Sequence, residues 1–226
     1  LYQLVKVCRD VSSKYTRSKV RKALPKEFSY IIQELLHEDS QVNDKMAYYQ
    51  VIIETIISTG RADDFIIALA NVIQRLVVDQ LHILGDIYDR GPGAHIILDF
   101  MEKYHNWDIQ WGNHDIIWMG ASAGNNACIC SVIRLSLRYA NLVTLEEGYG
   151  INLVPLATFA METYGDDPCE EFYPRLTGGS KEMDEKTLRL TALMHKAIAI
   201  IQFKEEGKLF EKHPEWKMQN RALFNN

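Results

Sequence analysis

The most constraining feature of this sequence is a change of hydrophobic period just before Leu81. Ahead of it, apolar residues recur at helical spacing, whereas Leu81–Leu84 is a short apolar run that stops at glycine, as a buried strand would. Residues 97–104 return to helical spacing, and residues 107–111 alternate apolar and polar side chains as a strand does. Strand, helix and strand in this order predict a right-handed parallel crossover. We therefore predict an α/β fold with a parallel or mixed sheet and flanking helices.

A polar block follows each predicted strand. The first is Gly85–Arg90 (GDIYDR), and the second is Gly112–Asp115 (GNHD). Open α/β sheets bind their ligands just beyond the carboxyl ends of parallel strands, so we expect both blocks at the same edge. Single residues of this kind are usually turn or cap residues, but both blocks in this order, one crossover apart, arise by chance in few proteins. The two blocks together therefore predict one functional site at this edge of the sheet.

The segment up to Val78 is predicted to be helical. Three apolar stripes at helical spacing, residues 28–35, 49–57 and 65–76, predict buried helix faces. Residues suited to start or stop these helices accompany each stripe. They are Pro25 in the first turn of one helix, Asp44 as a cap and Gly60 as a stop for the next, and Asp63 or Asp64 as a cap for the third.

Helical spacing resumes after the second block. Residues 129–137 and 156–164 predict two more helices. A loop around Gly178–Ser180 then leads to a long helix from Asp184 to about Glu206, which Gly207 is expected to end.

The change of period also divides the chain. Residues 1–78 are predicted to be a helical insertion that precedes the first polar block. Residues 79–226 are predicted to be part of an α/β core with a helical extension.

The donors in the two blocks suit a pair of divalent cations. Phosphate-ester hydrolysis brings an anionic nucleophile to an anionic phosphorus, and two cations bridged by hydroxide solve this problem efficiently. Oxygen and imidazole donors suit Mn, Mg, Fe or Zn. Asp86 is the candidate bridging ligand, because a strand end holds it while Gly85 leaves room for close approach. Asn113 offers a carbonyl oxygen to one metal and an amide donor to a phosphate oxygen.

Three further side chains are predicted to act on the phosphate. His114 can donate a proton to the leaving alkoxide. Asp89 can orient that imidazole and keep it protonated. Arg90 offers the planar fork that phosphate oxygens accept. Asp115 is expected to brace the loop through backbone contacts, with metal coordination left open.

Other positions allow two interpretations each. Arg134 and Arg138, four apart on a predicted helix, suit either surface salt bridges or a second substrate phosphate. The basic run at residues 14–22 suits a solvated surface or a phosphate-attracting patch. His82 and His195 are expected to be hydrogen-bonded core or interface histidines. Three tryptophans around the second block either pack behind it or line a pocket; they are Trp107, Trp111 and Trp118.

Composition excludes several classes of protein. A net charge of -5 disfavours a broad nucleic-acid-binding surface. The apolar runs are interrupted by polar residues and are too short for a membrane span. The 4 cysteines form no C-x-x-C pair and follow no leader, which favours reduced thiols in the cytoplasm.

At the two blocks the sequence resembles the calcineurin-like metallophosphoesterase superfamily, whose pattern is D-x-H, G-D-x-x-D-R, G-N-H-[DE] and later histidines. Four stretches narrow the resemblance to class III fructose-1,6-bisphosphatase, a manganese-dependent bacterial family of gluconeogenesis. They are residues 15–25, 109–120, 149–161 and 194–203. The resemblance covers essentially the whole chain.

This resemblance implies a specific function. It implies a calcineurin-like core that binds two manganese ions and hydrolyses the 1-phosphate of fructose 1,6-bisphosphate, giving fructose 6-phosphate, by attack of a metal-bridging hydroxide. Asp86 and Asn113 would be metal ligands, His114 the catalytic histidine, and Arg90 a phosphate contact. The partner implied is a sugar bisphosphate, with no nucleic acid and no membrane, and homo-oligomerisation is left open.

Part of the pattern is missing from these residues. The chain contains no D-x-H and no Gly-His pair, elements that the resemblance places before Leu1 and after Asn226. We therefore expect an internal fragment with an incomplete domain, a partly open core and little or no activity of its own. Two rival functions remain. One is a phosphoprotein phosphatase, which shares the G-D-x-x-D-R-G block; the other is a non-catalytic oligomerisation module with vestigial metal blocks.

Overall fold

The computed structural model describes residues 1–36, 43–176 and 183–222, with only the backbone of residues 43–46. The chain folds as two compact units. The first comprises residues 1–81 and 105–108, and the second comprises residues 82–104 and 109–226.

The first unit is built from helices. Helix α1 (Tyr2–Ser12) packs against helix α5 (Ala62–Val77). The helices described in this unit are α1 (Tyr2–Ser12), α2 (Arg17–Ala23), α3 (Ser29–Leu36), α4 (Asn43–Ser58) and α5 (Ala62–Val77).

One apolar core holds this unit together and confirms the predicted stripes, except that Ile57 at the end of the second stripe is 53% exposed. On α5, residues Phe65, Leu69, Val72 and Leu76 are fully buried at helical spacing. The Phe65 ring meets Phe28 edge-on, with 5.3 Å between ring centroids. The other helices add buried residues at the predicted positions, among them Ile32, Leu35, Ile53 and Ile56.

Two of the predicted helix starts are wrong, and one stop is confirmed. Pro25 lies in the loop after α2, ahead of α3 rather than in its first turn. Helix α5 has Arg61 at its N-cap with no side-chain cap; Asp63 and Asp64 lie in its first turn, where negative charge favours the helix dipole. Gly60 follows α4 with φ +72°, as a helix-ending glycine does. The predicted cap Asp44 and the loop at residues 178–180 lie outside the residues whose side chains are described.

A two-stranded parallel sheet connects the sequence blocks, which confirms the predicted strand, helix and strand. Strand β1 (Leu81–Ile83) pairs with β2 (Trp107–Ile109), and α6 (Ala94–Glu102) lies between them in sequence. The Leu81 amide donates to the Asn106 carbonyl at 3.1 Å, and the Gln110 amide donates to the Ile83 carbonyl at 2.9 Å.

The expectation that β1 is a buried strand is wrong for these residues. Its central residue His82 is exposed, which rules out the core position that was one of the two expected for it. Leu84, just beyond the strand, is 78% exposed, and Trp111 beyond β2 is 61% exposed. Parallel sheets are normally covered on both faces, so this sheet carries apolar surface that no described residue covers.

The second unit continues with helices. Helix α10 (Glu185–Lys212) packs along α8 (Asn126–Arg138) and α9 (Val154–Tyr164), and its buried small residues include Ala192 and Ala197. Gly207 is buried within α10 and does not end it, so that prediction is wrong. The longer elements after β2 are α7 (Asn113–Ser122), α8 (Asn126–Arg138), a π-helix (Thr144–Gly148), α9 (Val154–Tyr164) and α10 (Glu185–Lys212); short 3-10 helices span Glu170–Phe172, Pro214–Trp216 and Gln219–Arg221.

Of the helices in the described ranges, none combines the length and the apolar composition that crossing a lipid bilayer requires.

Candidate active site

The two polar blocks lie where the strands end. Residues 85–90 form the turn after β1, and Gly112 is the extended N-cap of α7, whose first helical residue is Asn113. The second block is therefore the start of a helix. The amides of such a first turn point toward negative charge.

The two blocks approach so closely that only glycine fits at two positions. A Cβ on Gly85 would lie 2.3 Å from the Gln110 carbonyl oxygen and 2.4 Å from the Gly112 nitrogen. A Cβ on Gly112 would lie 1.9 Å from Oδ1 of Asp86. Gly85 also has φ +92°, a conformation that L side chains rarely adopt.

Asp86 is held in a strained and directed conformation. Its φ is +53°, which for a residue other than glycine costs about 1–3 kcal/mol and persists only when neighbours enforce it. Its Oδ1 accepts from the backbone amide of His114 at 3.2 Å. Within the described residues Oδ2 makes no hydrogen bond, and the side chain is exposed. The carboxylate thus presents one oxygen to the start of α7 and the other to solvent.

Asp115 braces the loop as expected. Its Oδ2 accepts from the backbone amides of Asp86 at 2.6 Å and Gly112 at 2.9 Å, and its Oδ1 accepts from the amide of Tyr88 at 3.2 Å. The residue is only 5% exposed. Because both of its oxygens already accept backbone hydrogen bonds, Asp115 is a poor candidate for metal coordination.

His114, Asp89 and Arg90 form one group around a single carboxylate oxygen. Oδ1 of Asp89 lies 3.2 Å from Nε2 of His114 and 3.2 Å from Nε of Arg90. The His114 side chain is 19% exposed, whereas that of Arg90 is 57% exposed. The imidazole is therefore held through Nε2 by a carboxylate, and the guanidinium projects beside it.

A small cleft adjoins this group. It has a volume of about 20 Å³, enough for a single water, and is lined by Asp89, Arg90, His114, Ser136 and Tyr139, among others. The guanidinium of Arg90 lies 5.3 Å from the centre of the Tyr139 ring, within cation–π range.

Aromatic side chains support the first block from behind. Tyr88 stacks on Trp118 with 4.3 Å between ring centroids, and its hydroxyl hydrogen-bonds the hydroxyl of Tyr149. Burial raises the pKa of Tyr88 well above its ordinary value, and the Tyr149 hydroxyl adds to that shift. Trp118 therefore packs behind the block and also lines the cleft, so its two predicted roles are not exclusive. Trp111 is exposed, and Trp107 is half-buried.

The two candidate phosphate arginines on α8 lie against α10 rather than on an open surface. Nε of Arg134 donates to Oε1 of Gln202 at 2.6 Å, and burial lowers the pKa of Arg134. Nε of Arg138 is buried without a hydrogen-bond partner among the described residues. Neither makes a salt bridge in the described part of the chain, so the salt-bridge interpretation fails there and the phosphate interpretation stays a prediction.

His195 is a core histidine, as predicted. It is 5% exposed, and its Nδ1 lies 2.8 Å from the Phe172 carbonyl oxygen, to which the neutral ring donates when the proton is on Nδ1. Burial lowers its pKa.

The residues present fit part of a two-metal site. Over the described ranges, no three or more His, Cys, Asp or Glu side chains are grouped so that they could hold a metal ion. Asp86 offers Oδ2 as a hard oxygen donor at a rigid position, and Asn113 is exposed at the start of the neighbouring helix. This donor set suits two ligands of a larger centre.

Sequence reasoning missed three contributors to the site. They are Tyr149, Tyr139 and Asn141, whose Nδ2 donates to the Gly91 carbonyl oxygen at 2.9 Å. All three follow the second block by more than twenty residues, and no local pattern joins them to it. The bracing by Asp115 does have a local signal, since an acidic residue three positions after an N-cap reaches back to the N-cap amide.

Comparison with known proteins identifies the family. The sequence profile described as Firmicute fructose-1,6-bisphosphatase matches residues 1–226, the whole chain. This chain belongs to the Firmicute fructose-1,6-bisphosphatase family.

Individual relatives carry the name fructose-1,6-bisphosphatase class 3. The protein of Bacteroides thetaiotaomicron is 68% identical over 224 residues, 99% of this chain and 34% of the relative. That of Parabacteroides distasonis is 67% identical over 226 residues, and that of Clostridium acetobutylicum is 63% identical over 225; each alignment covers 100% of this chain and 34% of the relative. The chain thus spans about a third of the length of the curated relatives it matches. No solved structure matches it.

Proposed function

We propose that the protein to which these residues belong is a metal-dependent phosphatase that hydrolyses the 1-phosphate of fructose 1,6-bisphosphate, giving fructose 6-phosphate and phosphate. The observation that carries this proposal is the meeting of the two blocks, in which Asp86 accepts from the His114 amide while Asp89 holds the His114 imidazole. The whole-chain match to the family supports the choice of sugar bisphosphate as the substrate class. The 226 residues alone are proposed to have little or no activity.

Each residue has a proposed role in this reaction. Asp86 and Asn113 bind metal. His114 donates a proton from Nδ1 to the leaving alkoxide, while Asp89, 3.2 Å from Nε2, holds the ring from its other nitrogen. Arg90 and the Asn113 amide bind phosphate oxygens, and the exposure of the Arg90 guanidinium supports this role.

The metal proposed is manganese, as two divalent ions in the full-length protein. When bound, such ions act as Lewis acids and lower the pKa of bound water to about 7, which makes hydroxide available at neutral pH. The remaining ligands would come from residues beyond those of this chain. We further propose a calcineurin-like core formed by residues 79–226 with a helical insertion at residues 1–78, and a cytoplasmic location.

A direct test is phosphate release by the full-length protein with manganese, on fructose 1,6-bisphosphate and on a phosphopeptide in parallel. We expect turnover of the sugar bisphosphate that a chelator abolishes and added manganese restores. Turnover of the phosphopeptide alone would instead favour a phosphoprotein phosphatase. No manganese uptake by the full-length protein would favour a non-catalytic oligomerisation module.

A further inference from the structure

One buried carboxylate connects the two polar blocks. Asp115 belongs to the second block, yet two of its three hydrogen bonds reach the first block, at the amides of Asp86 and Tyr88. The third reaches Gly112, the N-cap of its own helix. The distances are 2.6, 3.2 and 2.9 Å in that order, and the residue is 5% exposed.

These contacts determine where Asp86 lies relative to Asn113. The hydrogen bond to the Asp86 amide helps to hold Asp86 at φ +53°, a backbone conformation that is unfavourable for residues other than glycine. The same oxygen of Asp115 accepts from Gly112, which directly precedes Asn113. The two proposed ligands are therefore connected through one oxygen atom and two backbone amides.

The contacts of Asp115 require a side chain whose two terminal atoms both accept hydrogen bonds. Its hydrogen-bond donors in the described part of the chain are backbone amides, and it lies in the first turn of α7, where negative charge favours the helix dipole. A neutral side chain of the same shape would not replace it. An Asn amide group facing the Tyr88 amide, or facing those of Asp86 and Gly112, would oppose donor to donor.

We propose that Asp115 is a positioning residue that sets the spacing of the metal ligands Asp86 and Asn113 and thereby the manganese affinity of the site. This inference rests on the proposed function, because it takes those two residues as ligands. Residues that orient metal ligands from behind typically change metal affinity by about 10–100-fold when they are substituted.

The test compares manganese binding by the full-length protein in two variants. Asp115→Asn removes the charge and one acceptor with little change of shape. Asp166→Asn is the matched control, because Asp166 is an exposed carboxylate of the same unit outside the site. Calorimetric titration of manganese into the metal-free proteins gives the dissociation constants.

We expect Asp115→Asn to raise the manganese dissociation constant about 10–100-fold and Asp166→Asn to leave it within about twofold. Activity of Asp115→Asn should recover toward wild type as manganese is raised, since Asp115 itself touches neither metal nor substrate. A dissociation constant within about threefold of wild type in Asp115→Asn would overturn the inference.

A second variant covers the case in which Asp115→Asn does not fold. Asp115→Glu keeps the charge and both acceptor oxygens but moves them by one methylene, which changes the spacing at which they can hold the amides of Asp86 and Gly112. If the spacing of Asp86 and Asn113 sets the manganese affinity, this variant should also bind manganese more weakly. An unchanged dissociation constant would contradict the inference. The substrate is judged separately, from wild-type turnover of fructose 1,6-bisphosphate, so a wrong substrate leaves the manganese comparison intact.

Discussion

The helical core of the first unit and the strand ends of the second are held by different forces. In the first, Phe65, Leu69 and Val72 are removed from water, and apolar burial contributes about 25 cal/mol per Å². At the strand ends, Leu84 and Trp111 remain exposed, and the loops are held by amides that converge on Asp115. The core of the first unit is therefore stabilised by the burial of apolar surface, whereas the loops of the site are stabilised by directional hydrogen bonds to one carboxylate. Substitutions in the core should therefore lower the free energy of unfolding, whereas substitutions at the site should change metal binding and turnover.

The largest effect is expected from substituting His114, the proposed proton donor. Replacing His114 with Gln removes the proposed proton donor while its backbone contact to Asp86 persists, so kcat on fructose 1,6-bisphosphate should fall about 10²–10⁴-fold. Steady-state assays of the full-length protein measure this loss. His213→Gln is the control, because His213 lies at the end of α10 and pairs with Glu215. If His114→Gln retained more than a tenth of wild-type kcat, the proton-donor role would be wrong.

The next effect is expected in the helical core. Phe65→Ala leaves a cavity against Phe28 and should lower the stability of this unit by about 3–5 kcal/mol, measured as the loss of hydrogen-exchange protection along α5. Ile67→Ala, on the same helix but 58% exposed, should change it by no more than about 0.5 kcal/mol. Equal losses of stability from the two substitutions would show that burial of apolar surface does not determine the stability of this unit.

A smaller effect is expected at His195 and should depend on pH. Burial, with Arg134 and Arg138 adding to it, lowers the pKa of His195 in the folded protein below its ordinary value near 6.5. The contribution of the neutral ring is therefore present above about pH 6.5 and is lost as pH falls through the folded pKa. His195→Gln should lower stability by about 1 kcal/mol at pH 7.5 and lose less on acidification than wild type.

Unfolding at pH 7.5 and 5.5 measures both quantities for His195. His213→Gln again serves as the control, since its ring is exposed and pairs with Glu215. Identical losses between the two pH values in wild type and His195→Gln would show that His195 does not carry the acid sensitivity.

The smallest effect is expected at Tyr139. Tyr139→Leu removes the ring near the Arg90 guanidinium, an interaction of about 0.5–1 kcal/mol, so KM for the substrate should rise about 2–5-fold with kcat unchanged. Tyr139→Phe keeps the ring and should behave as wild type. A fall in kcat without a change in KM would show that Tyr139 acts on the reaction step rather than on phosphate binding.

The two regions also differ in how far the sequence predicts them. The stripes of the first unit follow from periodicity, because burying one helix face requires apolar residues at about 3.6-residue spacing. Helix ends were less predictable. Gly207 lies inside α10, because a buried position beside a packed neighbour tolerates glycine. Pro25 belongs to the loop before α3, and the spacing of apolar residues alone did not separate that loop from the helix.

At the site, the sequence predicted which residues come together and that Asp115 braces the loop, but not the aromatic contacts that support it. The pairing of His114 with Asp89 followed from two motifs at neighbouring strand ends. The hydroxyl contact of Tyr149 and the ring of Tyr139 could not be predicted, since they depend on how distant helices return to the loop. The positive φ of Asp86 was also hidden, because aspartate adopts such a conformation at only a few positions and its presence alone does not indicate one.

Asp86 is, in this proposal, a metal ligand in a centre that residues outside this chain complete. The most direct measurement is the number of manganese ions bound per chain by the full-length protein, wild type against Asp86→Ala, by metal analysis after equilibrium dialysis. We predict about two ions for wild type and a loss of at least one for Asp86→Ala, since a bridging carboxylate serves both ions. Two ions bound with unchanged affinity by Asp86→Ala would contradict the assignment of Asp86 as a ligand.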